Sequence, residues 1–118
     1  MELNFSLLVN TFAQSVMLQK DAIKRADPKT ANKYAAEQLA AFDGLRAHGD
    51  AGREALAVLF DHESADVRIS AAAFLLRYCE SRARAVLEKE ASKKGLQGFT
   101  AAQALERWEE GEWELDPG

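Results

Sequence analysis

The chain has 118 residues, of which 47% are apolar and 29% charged, and its formal net charge is −4 at pH 7. This length and apolar content suit one domain with its own hydrophobic core, which we place at residues 1–118. No apolar run approaches the roughly 20 residues of a membrane span, and Glu2 without an early Lys or Arg is wrong for a secretory signal. The net negative charge also argues against nucleic-acid binding, for which a dense basic stripe is expected.

Apolar residues recur at helical spacing through the first half of the chain. A first helix is predicted from about Leu3 into the region 20–25. Asp27-Pro28 then predicts a restart, with Asp as the N-cap and Pro at the first helical position. The second helix runs to Gly49, where Asp50 caps a third, shorter helix that ends at Phe60.

The second half of the chain follows the same pattern. Ser64 is the predicted N-cap of a fourth helix at about 65–79, and a fifth helix covers about 81–94. Gly95 ends the fifth helix because glycine readily takes the left-handed conformation. Thr100 and Gln103 are spaced as a capping box for a sixth helix that ends near Gly111. No segment alternates like a strand, so the predicted fold class is all-α, with about six helices.

The fourth helix carries two apolar stripes instead of one. At 100° per residue the stripes lie roughly 160° apart, so both sides of this helix are predicted to be buried. Their members are Val67, Ala71, Phe74 and Tyr78 on one side, and Ile69, Ala72, Leu76 and Cys79 on the other. A helix buried on both sides is typical of a middle helix in a short α-solenoid of stacked antiparallel helical hairpins.

Two resemblances agree with this pattern. The Asp66-Val67-Arg68 turn, followed by small residues at 71–73, resembles the start of a HEAT-type repeat. The stretch Arg46–Leu56 and the segment Lys94–Thr100, together with the same turn, resemble a bacterial family known as domain of unknown function number twenty-nineteen. That resemblance implies a small helical-repeat fold without known chemistry, and some of the family's members look like immunity proteins encoded beside toxins.

Catalytic and metal-binding patterns are not found. The chain has no glycine-rich phosphate loop, no Gly-x-Ser-x-Gly and no His-Glu-x-x-His. His62 lies between two acids, but adjacent residues on a turn rarely converge on one ion. Cys79 has no second thiol, which fits a reducing compartment and a structural role. We therefore expect a cytoplasmic protein that is not an enzyme and uses no cofactor or metal.

Binding to a protein partner is the remaining hypothesis for the function, and two surfaces are candidates for the contact. One is a mixed-charge groove between the third and fifth helices, and the other is the acidic end after Leu105, where six acids stand against one arginine. In the fifth helix, the spacing also predicts i,i+4 pairs between Arg84 and Glu88 and between Glu90 and Lys94. The predicted contact residues are Arg53, Glu54, Asp61, Arg84 and Glu88 in the groove, and Glu106, Glu109 and Glu110 at the acidic end.

Several kinds of partner fit these surfaces. The first hypothesis is an immunity-like inhibitor that binds a basic toxin domain, with the acids steering its approach. The second is an adaptor or oligomeric structural protein, including a homodimer formed through an apolar patch at Met17 and Leu18. The third is nucleic-acid binding through the basic residues of helix 81–94, which the overall charge disfavours.

Overall fold

The computed structural model describes residues 5–112, and these form six α-helices and one short 3₁₀ helix, with no strand. This confirms the all-α prediction for that part of the chain. The helices are α1 (Phe5–Lys24), α2 (Pro28–Arg46), α3 (Asp50–Ala57), α4 (Ala65–Leu75), α5 (Glu80–Ala91) and α6 (Leu96–Glu109), and the 3₁₀ helix at Val58–Asp61 follows α3.

The chain divides into two compact units, which meet in sequence between Leu59 and Phe60. In the first unit, α1 packs along α2, and α3 contacts both. In the second unit, α5 contacts both α4 and α6, and α4 also contacts α6. The single domain that was expected over residues 1–118 stays a prediction.

Two of the predicted helix starts are built as expected. The Asp27 carboxylate accepts a hydrogen bond from the backbone N–H of Thr30, at 3.2 Å, and Pro28 is the first helical residue. Hydrogen bonds from the side chain and from the backbone N–H of Thr30 lower the pKa of Asp27. At α4, the Ser64 hydroxyl accepts from the backbone N–H of Val67 at 3.4 Å. Both side chains satisfy an amide that the first turn of a helix leaves unpaired.

The same glycine-based turn occurs once in each unit. Gly49 precedes α3 with φ +66°, and Gly95 precedes α6 with φ +103°, so both use a conformation that other residues resist. Three residues later, Gly52 lies against the last turn of α2, and Gly98 lies against the backbone just after α5. A Cβ atom at Gly52 would overlap the carbonyl oxygen of Leu45, and one at Gly98 would overlap that of Lys93. In each turn, the first residues of the new helix therefore lie so close to other backbone atoms that no side chain fits between them.

Helix α4 is buried on both of its predicted stripes. Val67, Ala71 and Phe74 are buried on one side of the helix. On the other side, Ile69, Ala72 and Leu76 form a core cluster with Ala83 and Leu87 of α5 and Ala101 of α6. The prediction that this helix has no solvent-facing apolar side is confirmed for these six residues.

The structure corrects several helix boundaries and one cap. Helices α3 and α5 end at Ala57 and Ala91 instead of Phe60 and Lys94. Helix α4 ends at Leu75, so Tyr78 and Cys79 lie in the following turn, and Cys79 is half-buried. Helix α6 begins at Leu96 instead of Thr100, and the Thr100 hydroxyl donates to the carbonyl of Leu96 within the helix. The third helix is capped by Gly49 without a side-chain hydrogen bond, and Asp50 is its first residue.

Candidate protein-contact surface

The side chain of Arg84 connects α5 to α6 on the surface of the second unit. Its Nη2 atom lies 3.0 Å from Oε1 of Glu109, which belongs to α6. Within α5, the guanidinium lies 3.7 Å from the carboxylates of both Glu80 and Glu88, one turn away on either side. The predicted i,i+4 pair between Arg84 and Glu88 is therefore present. The structure also pairs Glu109, which was predicted at the acidic end, with Arg84, which was predicted in the groove.

Trp108 extends this group of side chains and joins it to the core. Its indole Nε1–H donates to Oε2 of Glu80 at 3.1 Å. The partly buried ring also packs against the core cluster of the second unit. We call Glu80, Arg84, Glu88, Trp108 and Glu109 the Arg84 network. The network holds three carboxylates and one guanidinium, so its net charge is negative, and an aromatic ring lies among the acids.

The acids of the Arg84 network contribute little to stability. The side chains of Glu80, Glu88 and Glu109 are each more than half exposed. Exposed ion pairs contribute about 0–1 kcal/mol, because water and salt screen them. Their carboxylates can therefore change partners at small cost.

The other acids of the predicted surface lie beside the network on α6. Glu106 and Glu110 are exposed, and with Gln103 and Arg107 they line a shallow cleft of about 200 Å³. Together with Glu109 they give the end of α6 a negative surface. Glu112 is exposed just beyond α6, and the remaining acids of this end, Glu114 and Asp116, lie outside the described residues.

Asp61 lines a second cleft, which has a volume of about 240 Å³. Apolar side chains from Phe60 and Val86 form one part of its lining, and Lys89 and the Arg68–Glu90 pair form another. Asp61 itself is exposed. The cleft carries charges of both signs in similar number, so it attracts neither a strongly basic nor a strongly acidic partner.

Arg53 and Glu54 belong to α3, in the first unit. Arg53 is half-buried and Glu54 is exposed. The groove that was predicted between α3 and α5 stays a prediction.

Among residues 60–112 of the second unit, one acid is buried, Glu90, whose side chain is 3% exposed. Arg68 binds it with two hydrogen bonds, from Nε at 3.1 Å and from Nη2 at 3.3 Å. Lys93 donates to both carboxylate oxygens, at 3.1 and 3.3 Å. The predicted partner Lys94 was therefore wrong, and the pair forms one residue earlier. Arg68 also donates to the carbonyl oxygens of His62 and Glu63, so this cluster fixes the turn before α4.

The pKa of Glu90 reflects two opposing effects. Burial raises the pKa of this carboxyl, but the hydrogen bonds and positive charges of Arg68 and Lys93 outweigh burial and lower it below its ordinary value of 4.5. Glu90 is thus ionised in the folded protein at neutral pH, and its role is structural.

Glu90→Gln is expected to lower the free energy of unfolding at pH 7 by about 2 kcal/mol, because it leaves Arg68 without its buried counter-ion. Since the folded-state pKa is depressed, the wild-type contribution is present above about pH 4.5 and is lost as pH falls through the folded pKa. Urea unfolding at several pH values should show the difference between the variant and the wild type shrinking in acid. The matched control is Glu37→Gln, which changes an exposed side chain. A difference that does not shrink at all as the pH falls below 4.5 toward full acid unfolding would contradict this assignment.

No group of three or more metal-binding side chains occurs between residues 5 and 112. No helix in the same part of the chain is both long and apolar enough to cross a membrane.

The comparisons with known proteins identify a family. Residues 6–107 match the family model of a domain of unknown function, DUF2019. The chain belongs to this family. A protein of the same fold is RPA1889 from Rhodopseudomonas palustris, whose crystal structure superposes with a TM-score of 0.85. It is 27% identical in sequence, and the match covers 96% of this chain and 94% of that one. A comparison with curated proteins finds no match.

Membership of the DUF2019 family confirms the family resemblance that was found in the sequence. The family match includes both glycine turns and the Asp66-Val67-Arg68 turn. Sequence reasoning did not find the contact between Trp108 and Glu80 or the pair between Arg68 and Glu90. These residues are 28 and 22 positions apart, and no local spacing rule connects them.

Proposed function

We propose that this DUF2019 chain is a non-enzymatic protein-binding module whose contact surface is the Arg84 network, and that its partner is a basic protein domain. The observation that carries the proposal is the position of Trp108. Its ring packs against the core cluster, and its indole N–H is bonded to the exposed acid Glu80, which also pairs with Arg84. Tryptophan is among the residues that contribute most to the affinity of protein interfaces.

The charges around Trp108 favour a basic partner. Lysines and arginines of that partner can take the place of Arg84 beside Glu80, Glu88 and Glu109. The nearby acids Glu106 and Glu110 extend the negative potential and increase the rate of encounter. A nucleic acid would meet repulsion at the same surface, because its phosphates carry one sign of charge.

A toxin domain is the specific basic partner that we propose, with the chain acting as an immunity-like inhibitor in the cytoplasm. The acidic surface supports this choice, because charge complementarity allows fast capture of a basic protein. We further propose that the helices stack as a short HEAT-like solenoid. The burial of α4 on both sides and the recurrence of the glycine turn support that arrangement.

Charge reversal at Glu106, Glu109 and Glu110 is expected to slow association with the partner at least tenfold and to flatten its salt dependence, because exposed charges act mainly through steering. The partner is first captured from the native host, and binding is then followed by surface plasmon resonance at several salt concentrations. Trp108→Phe keeps an aromatic ring but removes the indole N–H, and we expect it to speed dissociation.

The control is reversal of three exposed acids elsewhere, Glu37, Asp43 and Glu63, which changes the net charge equally. Equal slowing by both triple variants would mean that net charge alone matters and would overturn the proposed surface. Tight, salt-sensitive binding of plain DNA or RNA would overturn the proposal of a protein partner.

A further inference from the structure

The outward side of α1 carries no charge over most of its length. From Phe5 to Gln19 the helix has no Asp, Glu, Lys or Arg, although 29% of the chain is charged. Large apolar side chains are nevertheless exposed there: Leu7 is 61% exposed, Leu18 43% and Met17 41%. Depletion of charge together with exposed Leu and Met is typical of the centre of a protein interface.

Four residues of this side form one continuous stripe. Leu7, Thr11, Gln14 and Leu18 follow each other at intervals of four, three and four residues, the spacing with which helices pack lengthwise. Val9, Phe12 and Val16 on the other side of α1 are buried. The stripe therefore has two apolar ends and a polar, uncharged centre.

This arrangement is complementary to itself when it is reversed. In an antiparallel pair with a two-fold axis between Thr11 and Gln14, Leu7 of one copy faces Leu18 of the second copy. Thr11 then faces Gln14, and their hydroxyl and amide groups can hydrogen bond. In an isologous interface the same surface of both copies is in contact, so the surface must be complementary to its own reversed copy.

The nearest charges also permit this pairing. Asp21 and Arg25, which bind each other at 2.9 Å, lie beyond Leu18 at the end of the stripe. With 1.5 Å of rise per residue, the two copies of Asp21 would be about 25 Å apart, far outside the screening length of about 8 Å. A strongly basic or acidic partner, by contrast, finds no charge on this stripe.

We propose that this uncharged stripe of α1 is a self-association surface and that its occupant is α1 of a second copy of the chain, packed antiparallel. The surface belongs to the first unit, whereas the Arg84 network belongs to the second. A dimer would therefore present the Arg84 network twice.

The molar mass in solution tests the proposal, measured by sedimentation equilibrium across a concentration series. We expect about 26 kDa, twice the 13.0 kDa of one chain, at protein concentrations of about 100 μM. Leu18→Lys should weaken association at least tenfold, because it places a lysine in an apolar contact. Val58→Lys, at an exposed apolar residue outside α1, should leave association unchanged. A wild type that stays at 13.0 kDa throughout the series would overturn the proposal.

Cysteine cross-linking tests the antiparallel geometry in a Cys79→Ser background. A mixture of the Leu7→Cys and Leu18→Cys variants should form a disulfide-linked pair of one chain of each kind under mild oxidation. Each variant alone should cross-link much less. Efficient cross-linking of Leu7→Cys alone would show parallel packing, and dimers without any cross-link through these positions would place the interface elsewhere; either result contradicts the proposal.

Discussion

Ala72→Asp and Leu76→Asp are expected to destabilise the protein as severely as Phe74→Asp, by about 3–5 kcal/mol each. Phe74 lies on one side of α4, and Ala72 and Leu76 lie on the other, where they are fully buried. Ala72 and Leu76 contact Ala83, Leu87 and Ala101 in the core cluster, and a carboxylate among these side chains has no counter-ion. The carboxylate must therefore either take up a proton or reach water through unfolding of the protein.

Thermal and urea unfolding, followed by circular dichroism, measure this effect. The matched control is Ala102→Asp, the same change at an exposed position of α6. We expect the control to cost less than about 1 kcal/mol, mainly through the lower helix propensity of aspartate. If Ala72→Asp unfolds like Ala102→Asp, the inner side of α4 is open to water and the packing described above is wrong.

Gly52→Ala and Gly98→Ala are each expected to lower the free energy of unfolding by about 2–4 kcal/mol. The added methyl group would overlap backbone carbonyl oxygens, of Leu45 in the first case and of Lys93 in the second. Backbone at the end of a helix cannot rotate away as a side chain does, so the two helices would have to separate. The loss occurs even though alanine favours helix more than glycine does.

Gly44→Ala is the control for both variants, because it is the same substitution within a helix. The nearest atoms to its added methyl group are the side-chain carbons of Leu8, at 3.2 and 3.3 Å, and these can move. Helix propensity favours the alanine by about 1 kcal/mol, so we expect little change or a small gain in stability. Equal losses at all three glycines in urea unfolding would show that close backbone approach is not the cause.

The helices themselves could be predicted because their signals are local. Asp27-Pro28 and Ser64 act within one turn of the chain, and each starts a helix in the structure. Gly95 was predicted to end α5, but α5 ends at Ala91 and Gly95 is the N-cap residue of α6. The end of α4 could not be predicted, because the apolar pattern continues through Leu76, Tyr78 and Cys79 without a glycine or proline. At α6, the Thr100–Gln103 spacing matches a capping box, but the helix already begins at Leu96.

Some members of the Arg84 network could be predicted from the sequence, but their arrangement could not. The i,i+4 pair of Arg84 and Glu88 follows from helix geometry, and the structure contains it. The contact of Arg84 with Glu109 depends on how α5 packs against α6, which no spacing in the sequence specifies. Glu90 was predicted to pair within its own helix, but its partner Arg68 comes from another helix. Local sequence patterns thus predict contacts within a helix but not contacts between helices.

The order of helix contacts also has a kinetic consequence. Within each unit, every helix packs on the helix that follows it in the chain, and the connections between them are a few residues long. Closing such short loops costs little chain entropy, and helical proteins with mainly local contacts fold in microseconds to milliseconds. Stopped-flow or temperature-jump refolding should therefore be complete within about 10 ms. A nascent chain of this kind can form its first helical pairs as soon as they leave the ribosome, before the later helices have been synthesised.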